Sequence, residues 1–255
     1  MNVLHIIPTY YPAFSRGGPV RSVHSLNKWL VKQGAAVTVY ATDLDISEDV
    51  PRCEKVNVDG VEAYYFPASF PKVWEYSCAL HKKLRDTAGG FSLIHITSTF
   101  LAASALGAHY ARKYGVPYII SPRGNLMREP MSMKSALLKK LYLRFVEKRN
   151  LENADAIHFT VPKEQDEYKE LGLSCGRNIV IPNGIEPEEF EEAEQGKFRR
   201  KFNIEKDKKI VLFLSRIVWK KGSAAHRRRL WVFCETGDGL SGKRHMGRCC
   251  CPFRY

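Results

Sequence analysis

The 255-residue sequence has no long apolar stretch. None of its apolar runs approaches the ~18 to 20 consecutive apolar residues that a membrane-spanning helix requires. The amino-terminal "MNVLHIIPTYYP" lacks a basic segment and is interrupted by Pro8, which is not the pattern of a secretory signal peptide. Hydrophobic residues make up 44% and charged residues 26%, as in ordinary globular proteins. The sequence therefore predicts a globular, cytoplasmic protein.

Cysteine is scarce in the first 222 residues, and over the whole chain acidic residues are fewer than basic ones. Cys53, Cys78 and Cys175 lie far apart, which favours buried, reduced thiols over a disulfide framework. The formal net charge is +13, of which residues 223–255 contribute +5 and the first 222 residues +8. A basic protein of this kind suits anionic partners, such as nucleotide diphosphates or an acidic membrane surface.

Short apolar runs alternate with helical periodicity from residue 2 to residue 182. This alternation predicts an α/β fold, a Rossmann-like parallel sheet with helices on both faces. Residues 1–182 form the predicted domain, and residues 183–222 a connector and the start of a second domain. The predicted strands are 2–7, 36–42, 61–66, 92–97, 117–121, 154–160 and 178–182. The first predicted helix begins at Pro19, and the others cover 72–88, 99–114, 133–152 and 162–171.

The pair Gly17–Gly18 lies between the first strand and its helix. In a doubly wound sheet this is where the backbone approaches a ligand, and the helix amino terminus favours a phosphate. Arg16 beside the pair could add positive charge. The alternative is a glycine loop that only turns the chain.

Four further residues are candidates for binding or chemistry. Arg123 in "SPRGNL" follows the strand 117–121. It is interpreted either as a residue that binds an anion at this edge of the sheet or as a surface arginine in a turn. His95 is either a hydrogen-bonded core residue or, near the carboxyl end of its strand, part of a site. Arg216 and Lys221 lie just beyond the apolar run "IVLFL" of the predicted strand, and the pair suits a diphosphate or is solvated surface. No histidine pair has metal-ligand spacing, so no metal site is predicted.

The predicted helix 133–152 is amphipathic and basic. Its broad apolar face carries Leu137, Leu138, Leu141, Tyr142, Phe145 and Val146, with lysine and arginine around it. Such a helix can lie on anionic lipid. Helices that cover a sheet need an apolar face as well, and we favour packing against the sheet over membrane contact.

Taken in order, several stretches of residues 1–222 resemble the family 4 retaining glycosyltransferases, which have the two-Rossmann-domain GT-B fold. They are "HIIPTYYPAFSRGGPVRSVHSLNKWL", "SLIHITST", "PYIISPRGNL", "NADAIHFTVPKEQDEY", "VIPNGIEPEEF" and "LFLSRIVWKKG". The last two are the most specific, because they resemble the "PNGI" connector and the opening of the second domain.

The resemblance implies a hexosyltransferase that moves a sugar from a nucleotide-sugar donor to a lipid-linked or saccharide acceptor, with retention, usually without a metal or other cofactor. It implies that Gly17 and Gly18 face the donor phosphate and the acceptor, and that Arg216 and Lys221 bind the diphosphate. Many relatives have a histidine where this sequence has Arg123. Because arginine cannot accept a proton at pH 7, Arg123 would act by charge or hydrogen bonding.

The tail 223–255 resembles no part of the family's second domain, whose glycine-rich loop and Glu-x7-Glu pair are not found here. We therefore expect an out-of-frame, disordered tail on a shortened enzyme, whose activity is left open. A zinc site and a nucleic-acid-binding arm are weaker interpretations of its cysteines and arginines, and we expect no nucleic-acid partner. The rival to the enzyme is a non-catalytic module that binds an acceptor lipid or a polyanion.

Overall fold

One eight-stranded sheet organises the first of two units of the chain, Met1–Glu186. The structure is a computed structural model that describes residues 1–14, 18–69, 74–128, 131, 136–173, 176–186, 194–207, 210–213 and 231–234. The unit ends beyond the boundary that we predict at residue 182. Glu186 forms an ion pair with Lys28 at 3.7 Å, which ties the start of the connector to this unit.

The strands follow the order β3-β4-β2-β1-β5-β6-β7-β8 across the sheet. All neighbours are parallel except β3 and β4, so the predicted Rossmann-like parallel sheet is confirmed. The sequence analysis missed β3, although the Asp59–Gly60 turn before β4 is a hairpin signal and both residues have positive φ. The strands are β1 (Asn2–Thr9), β2 (Ala36–Thr42), β3 (Val56–Val58), β4 (Val61–Phe66), β5 (Leu93–Thr97), β6 (Tyr118–Ser121), β7 (Ala156–Phe159) and β8 (Asn178–Val180).

Helices connect the strands and cover both faces of the sheet. The long predicted helix 133–152 is helical from Ala136 onward, with a π-helix, Leu143–Glu147, in its middle, and residues 132–135 lie outside the described part. The α-helices of this unit are α1 (Gly18–Lys32), α2 (Cys78–Thr87), α3 (Ala102–Tyr114), α4 (Ala136–Tyr142), α5 (Lys148–Glu152) and α6 (Pro162–Glu170).

The sheet separates two apolar cores, because alternate residues of each strand point to opposite faces. Val3 and Ile7 of β1 pack with α1, whereas Leu4 and Ile6 pack with α2 and α3. Helix α3 approaches the sheet closely at Gly107. A Cβ atom there would lie 2.6 Å from Cδ1 of Ile6, so only glycine fits without a shift of the neighbours.

Two sequence expectations about side-chain burial are wrong. Cys53 and Cys78 are free thiols but are exposed, since Cys53 lies in a surface loop and Cys78 begins α2. In the segment 136–152, Leu143 and Leu151 contact the core. Four of the six residues on the predicted apolar face are instead exposed: Leu137 (73%), Leu138 (53%), Leu141 (45%) and Phe145 (72%). Tyr142 and Val146, the other two, are half-buried, so most of the predicted core-facing side points to solvent.

The second unit, Pro187–Tyr255, is described only in short pieces. It contains helix α7 (Lys197–Lys201) and strands β9 (Ile210–Phe213) and β10 (Trp231–Cys234), which pair antiparallel. Of the tail 223–255, for which we expect disorder, the structure describes only residues 231–234, and the rest lies outside the described part. Among the helices that the structure describes, none is long and apolar enough to cross a membrane.

The buried carboxylate of Glu147 stabilises the turn that follows β5. Ser98 and Phe100 in this turn have φ angles of 83° and 64°, which side chains rarely adopt. The backbone N–H of Phe100 donates to Oε1 of Glu147 at 2.6 Å, and Asn150 donates to its Oε2 at 3.4 Å. Burial raises the pKa of Glu147, although both hydrogen bonds act in the opposite direction.

We expect Glu147→Ala to lower the free energy of unfolding by about 1–3 kcal/mol, because it leaves the buried N–H of Phe100 without its acceptor. Glu147→Gln keeps an oxygen at that position and should cost less. Urea unfolding of both variants at pH 7 measures the difference.

The same two variants distinguish the role of Glu147 as a hydrogen-bond acceptor from the effect of its charge. Because the folded-state pKa of Glu147 is raised, this group adds stability as the pH falls through the interval between its unfolded and folded values. Glu147→Gln should lose that pH dependence. Equal losses of stability in the Ala and Gln variants would contradict the acceptor role.

Candidate functional site

The candidate site lies at the carboxyl edge of the sheet, where the strand order reverses. Strands β2 and β5 lie on opposite sides of β1, so the connections that leave β1 and β5 diverge there. Such a reversal point opens a crevice in which doubly wound sheets bind ligands. The loop into α1, the turn after β5 and the turn after β6 meet this edge.

Two stacked histidines occupy the adjacent strands β1 and β5. His5 and His95 are direct partners in the register, and their ring centroids lie 4.3 Å apart at an interplanar angle of 19°. Both are buried. Burial lowers the pKa of His5 to about 4 and holds that of His95 well below its usual value, and the positive charge of Arg123 acts in the same direction. Both rings are therefore neutral at pH 7.

The ring of His5 has a defined tautomer. Its Nδ1 lies 2.8 Å from Oδ1 of Asn27 in α1, and because an amide oxygen only accepts, Nδ1 carries the proton. Its Nε2 then accepts from the hydroxyl of Thr97 at 2.8 Å. The helix α1 is thus joined to both central strands through one histidine.

The hydrogen bonds continue from Asn27 to the surface. Its Nδ2 donates to the Tyr10 hydroxyl at 3.4 Å, and that hydroxyl donates to Nδ1 of His24 at 2.8 Å. Nε2 of His24 donates to the carboxylate of Asp59 at 2.9 Å. His24 of α1 therefore joins Tyr10, which follows β1, to the turn between β3 and β4.

A second chain of hydrogen bonds fixes the tautomer of His95. Nε2 of His158 donates to the carbonyl of Ile181 at 2.9 Å, so its Nδ1 accepts from Ser121 at 2.8 Å. The oxygen of Ser121 in turn accepts from Nε2 of His95 at 2.8 Å. This direction leaves the lone pair of His95 on Nδ1, where the ring can accept a hydrogen bond.

Arg123 brings a positive charge to the three histidines. Its φ of 54° belongs to the left-handed region, and its Nη1 donates to Oδ1 of Asn183 in the "PNGI" connector. Two motifs that are far apart in the sequence are thereby joined. Burial lowers the pKa of Arg123, and nearby Glu164 opposes the shift. Its Nε is buried and has no hydrogen-bond partner within the described residues.

Glu164 is a site-positioning residue that the sequence analysis missed. Its Oε1 accepts from the backbone N–H of Gly124, next to Arg123, and its Oε2 accepts from the N–H of Thr160 at 3.1 Å. It therefore ties the Arg123 turn to the start of α6. The signal in the sequence was a glutamate two residues after Pro162, which is typical of a capped helix start; its contact with Gly124 leaves no local pattern.

The structure brings together only part of the predicted site. His95 and Arg123 lie at the same edge, and their catalytic roles remain predictions. Gly18 is the first residue of α1, and among the described residues beyond its chain neighbours and its own helix backbone, no atom lies within 4 Å of where its Cβ would be. Gly17, Arg16, Arg216 and Lys221 lie outside the described residues. In the described part, no three His, Cys, Asp or Glu side chains are grouped as metal ligands.

A Rossmann-like sheet with a polar cluster at its reversal point defines the class: a doubly wound α/β protein, a fold in which ligands bind at the carboxyl edge of the sheet. The model of the glycosyl transferase 4-like domain matches residues 17–184. The chain belongs to this family of glycosyltransferases, as the resemblance in the sequence implies. No curated protein matches the sequence.

Solved structures share the fold at low sequence identity. Sucrose-phosphate synthase from Thermosynechococcus elongatus is 19% identical, with a TM-score of 0.62 over 87% of this chain and 57% of that protein. HepE from Anabaena, solved in complex with UDP-glucose, is 14% identical, with a TM-score of 0.54 over 80% of this chain and 50% of that protein. This chain spans only 57% and 50% of the lengths of these two proteins.

We expect the free energy of unfolding to fall as the pH is lowered from 7 towards 4. The pKa of His5 is about 4 in the folded protein, below its ordinary value of 6.5, so the unfolded chain takes up the proton first. This one group accounts for a loss of roughly 3 kcal/mol across that interval. Urea unfolding at a series of pH values measures the slope.

His5→Gln should flatten part of that slope, whatever it does to stability at pH 7. His109→Gln is the matched control: the pKa of His109 is lowered too, but this ring is exposed on α3, where solvent screens it, so we expect its loss to flatten the slope less. A wild-type slope retained in His5→Gln would show that the His5 ring is not held neutral.

Proposed function

We propose that the protein is a retaining hexosyltransferase of polysaccharide biosynthesis. It transfers a sugar from a nucleotide-sugar donor to a lipid-linked or saccharide acceptor, without a metal ion. The observation that carries the proposal is the half-buried guanidinium of Arg123, whose Nε is fully buried. This group has an N–H donor without a partner in the described residues, and it lies beside neutral histidines in the part that matches the family.

The proposed role of Arg123 is to bind an anionic or hydroxyl oxygen of the donor sugar nucleotide. A cation removed from water stabilises negative charge more strongly than an exposed one, which suits a leaving diphosphate. The bond to Asn183 and the anchoring of Gly124 by Glu164 fix its position before the donor binds. Because arginine stays protonated at pH 7, it acts by charge and hydrogen bonding.

The proposed role of His95 is to accept a hydrogen bond from a sugar hydroxyl. Its Nε2 proton is committed to Ser121, so the free lone pair is on Nδ1. Its lowered pKa keeps the ring neutral, as an acceptor must be. His95 would thereby orient the reacting sugar, and Arg123 would bind its charged end.

For the remaining predicted residues, the proposal follows the family resemblance. Gly17 and Gly18, with Arg16, would present the loop and the amino terminus of α1 to the donor phosphate and the acceptor. Arg216 and Lys221 would bind the diphosphate from the second domain. The complex of HepE with UDP-glucose supports a nucleotide-sugar donor for this chain. We place the reaction in the cytoplasm, at the inner face of the membrane.

The second candidate function is a non-catalytic module that binds an acceptor lipid or a polyanion. The observation in its favour is the net charge of +13, which suits a polyanion or an acidic lipid. Binding of the donor and transfer of its sugar distinguish the two functions.

We expect Arg123→Gln to weaken binding of UDP-glucose, or of the nucleotide sugar that binds the wild-type chain best. The loss should be about tenfold or more, the value of a hydrogen bond to a charged group. Calorimetric titration of the full 255-residue chain measures it. Arg123→Lys keeps the charge and should recover part of the affinity.

Arg128→Gln is the control, because Arg128 is exposed in the following turn and pairs with Glu170 at 2.5 Å. It should leave donor binding unchanged. A chain that binds no nucleotide sugar and transfers no sugar to any acceptor would overturn the enzyme and favour the module.

A further inference from the structure

The exposed apolar side chains of Leu137, Leu138, Leu141 and Phe145 form one continuous surface, which we call the 137–145 surface. Leu137, Leu141 and Phe145 recur at four-residue spacing, which aligns them along one side of α4 and of the π-helix that continues it. Leu138 lies next to this row. Each of the four exposes close to half of its surface or more.

The opposite side of the same segment holds it to the protein. Leu143 and Leu151 pack against the core, and Glu147 and Asn150 are buried and hydrogen-bonded to each other. The segment therefore has two apolar sides. The side with Leu143 and Leu151 packs against the core, whereas the 137–145 surface makes no such contact.

The charge around the 137–145 surface is positive. Lys140, Arg144 and Lys148 are exposed on the same segment. The segment has two acidic residues. Glu147 is buried, and Glu152 offsets only Lys148, with which it pairs at 3.6 Å, so the exposed charge of the segment stays positive. An anionic partner is therefore favoured over a neutral one.

An exposed tryptophan, Trp74, lies beside α4, the helix that carries part of the 137–145 surface. Trp74 is 40% exposed, and its ring lies edge-on to that of Tyr142 in α4, with centroids 5.8 Å apart. Tryptophan is typical of the boundary between apolar lipid and water, because its ring is apolar and its N–H needs a polar partner.

We propose that the 137–145 surface docks the protein on the surface of an anionic phospholipid bilayer. The four apolar side chains enter the boundary between headgroups and acyl chains, and Lys140, Arg144 and Lys148 contact lipid phosphates. An apolar row bordered by lysine and arginine is the pattern of interfacial helices. The centre of a protein–protein interface is instead depleted in lysine, which argues against a protein partner. The inference does not depend on the proposed transfer reaction.

Co-sedimentation of the full chain with lipid vesicles tests the proposal. The wild type should bind vesicles of phosphatidylcholine with about one third phosphatidylglycerol, bind phosphatidylcholine alone weakly, and dissociate as salt is added. Leu141→Gln with Phe145→Gln should weaken binding about tenfold or more, because the apolar area no longer enters the lipid. Lys140→Gln with Arg144→Gln and Lys148→Gln should weaken it about a hundredfold.

Control variants change exposed residues of the same kind elsewhere. Trp29→Gln on α1 and Lys82→Gln on α2 should leave vesicle binding unchanged. All changed side chains are solvent-exposed, so an unchanged thermal unfolding midpoint shows that each variant is folded. Phe145→Leu stays apolar and should retain most of the binding.

Three results would overturn the proposal. One is a wild type that does not bind anionic vesicles, and another is binding that the surface variants do not weaken. The third is a dimer that forms in solution and is lost in Leu141→Gln with Phe145→Gln, because the surface would then belong to a second copy. Donor binding is measured without lipid, so it fails or succeeds independently of docking.

Discussion

The candidate site depends on one constraint: polar side chains buried in a sheet must find hydrogen-bond partners inside the protein. His5 and His95 lie in central strands among apolar neighbours, where a charged ring would be costly. Each is therefore neutral and has a proton position set by its partners. Asn27 and Ser121 supply those partners from other elements, so satisfying the two rings also fixes how α1 and β6 lie against the central strands.

Arg123 does not fully meet this constraint within the described residues. The buried carboxylate of Glu164 has its oxygens occupied by backbone N–H groups. Arg123 has one end held by Asn183, while its buried Nε lacks a partner among the described residues. Leaving a charged donor unpaired costs stability. A ligand oxygen within reach of Nε would accept its hydrogen bond, which supports the proposed binding of the donor.

The sequence predicts the sheet well because buried parallel strands are short apolar runs that need no knowledge of their neighbours. β3 was missed because only a three-residue strand and an Asp59–Gly60 turn mark it. The partners of His5 could not be predicted, since Asn27 approaches it only through the packing of α1. The periodicity of residues 137–145 showed that an apolar face exists. It could not show that Leu143 and Leu151, on the other side, provide the contact with the core.

The turn after β5 connects the candidate site to the 137–145 segment. Its Phe100 is held by Glu147 and has its ring 6.0 Å from that of Tyr142, while its Ser98 accepts a hydrogen bond from Asn125 at 2.7 Å. Asn125 belongs to the turn that carries Arg123. A single strained turn thus contacts both the helix that bears the proposed docking surface and the turn that bears the proposed donor ligand.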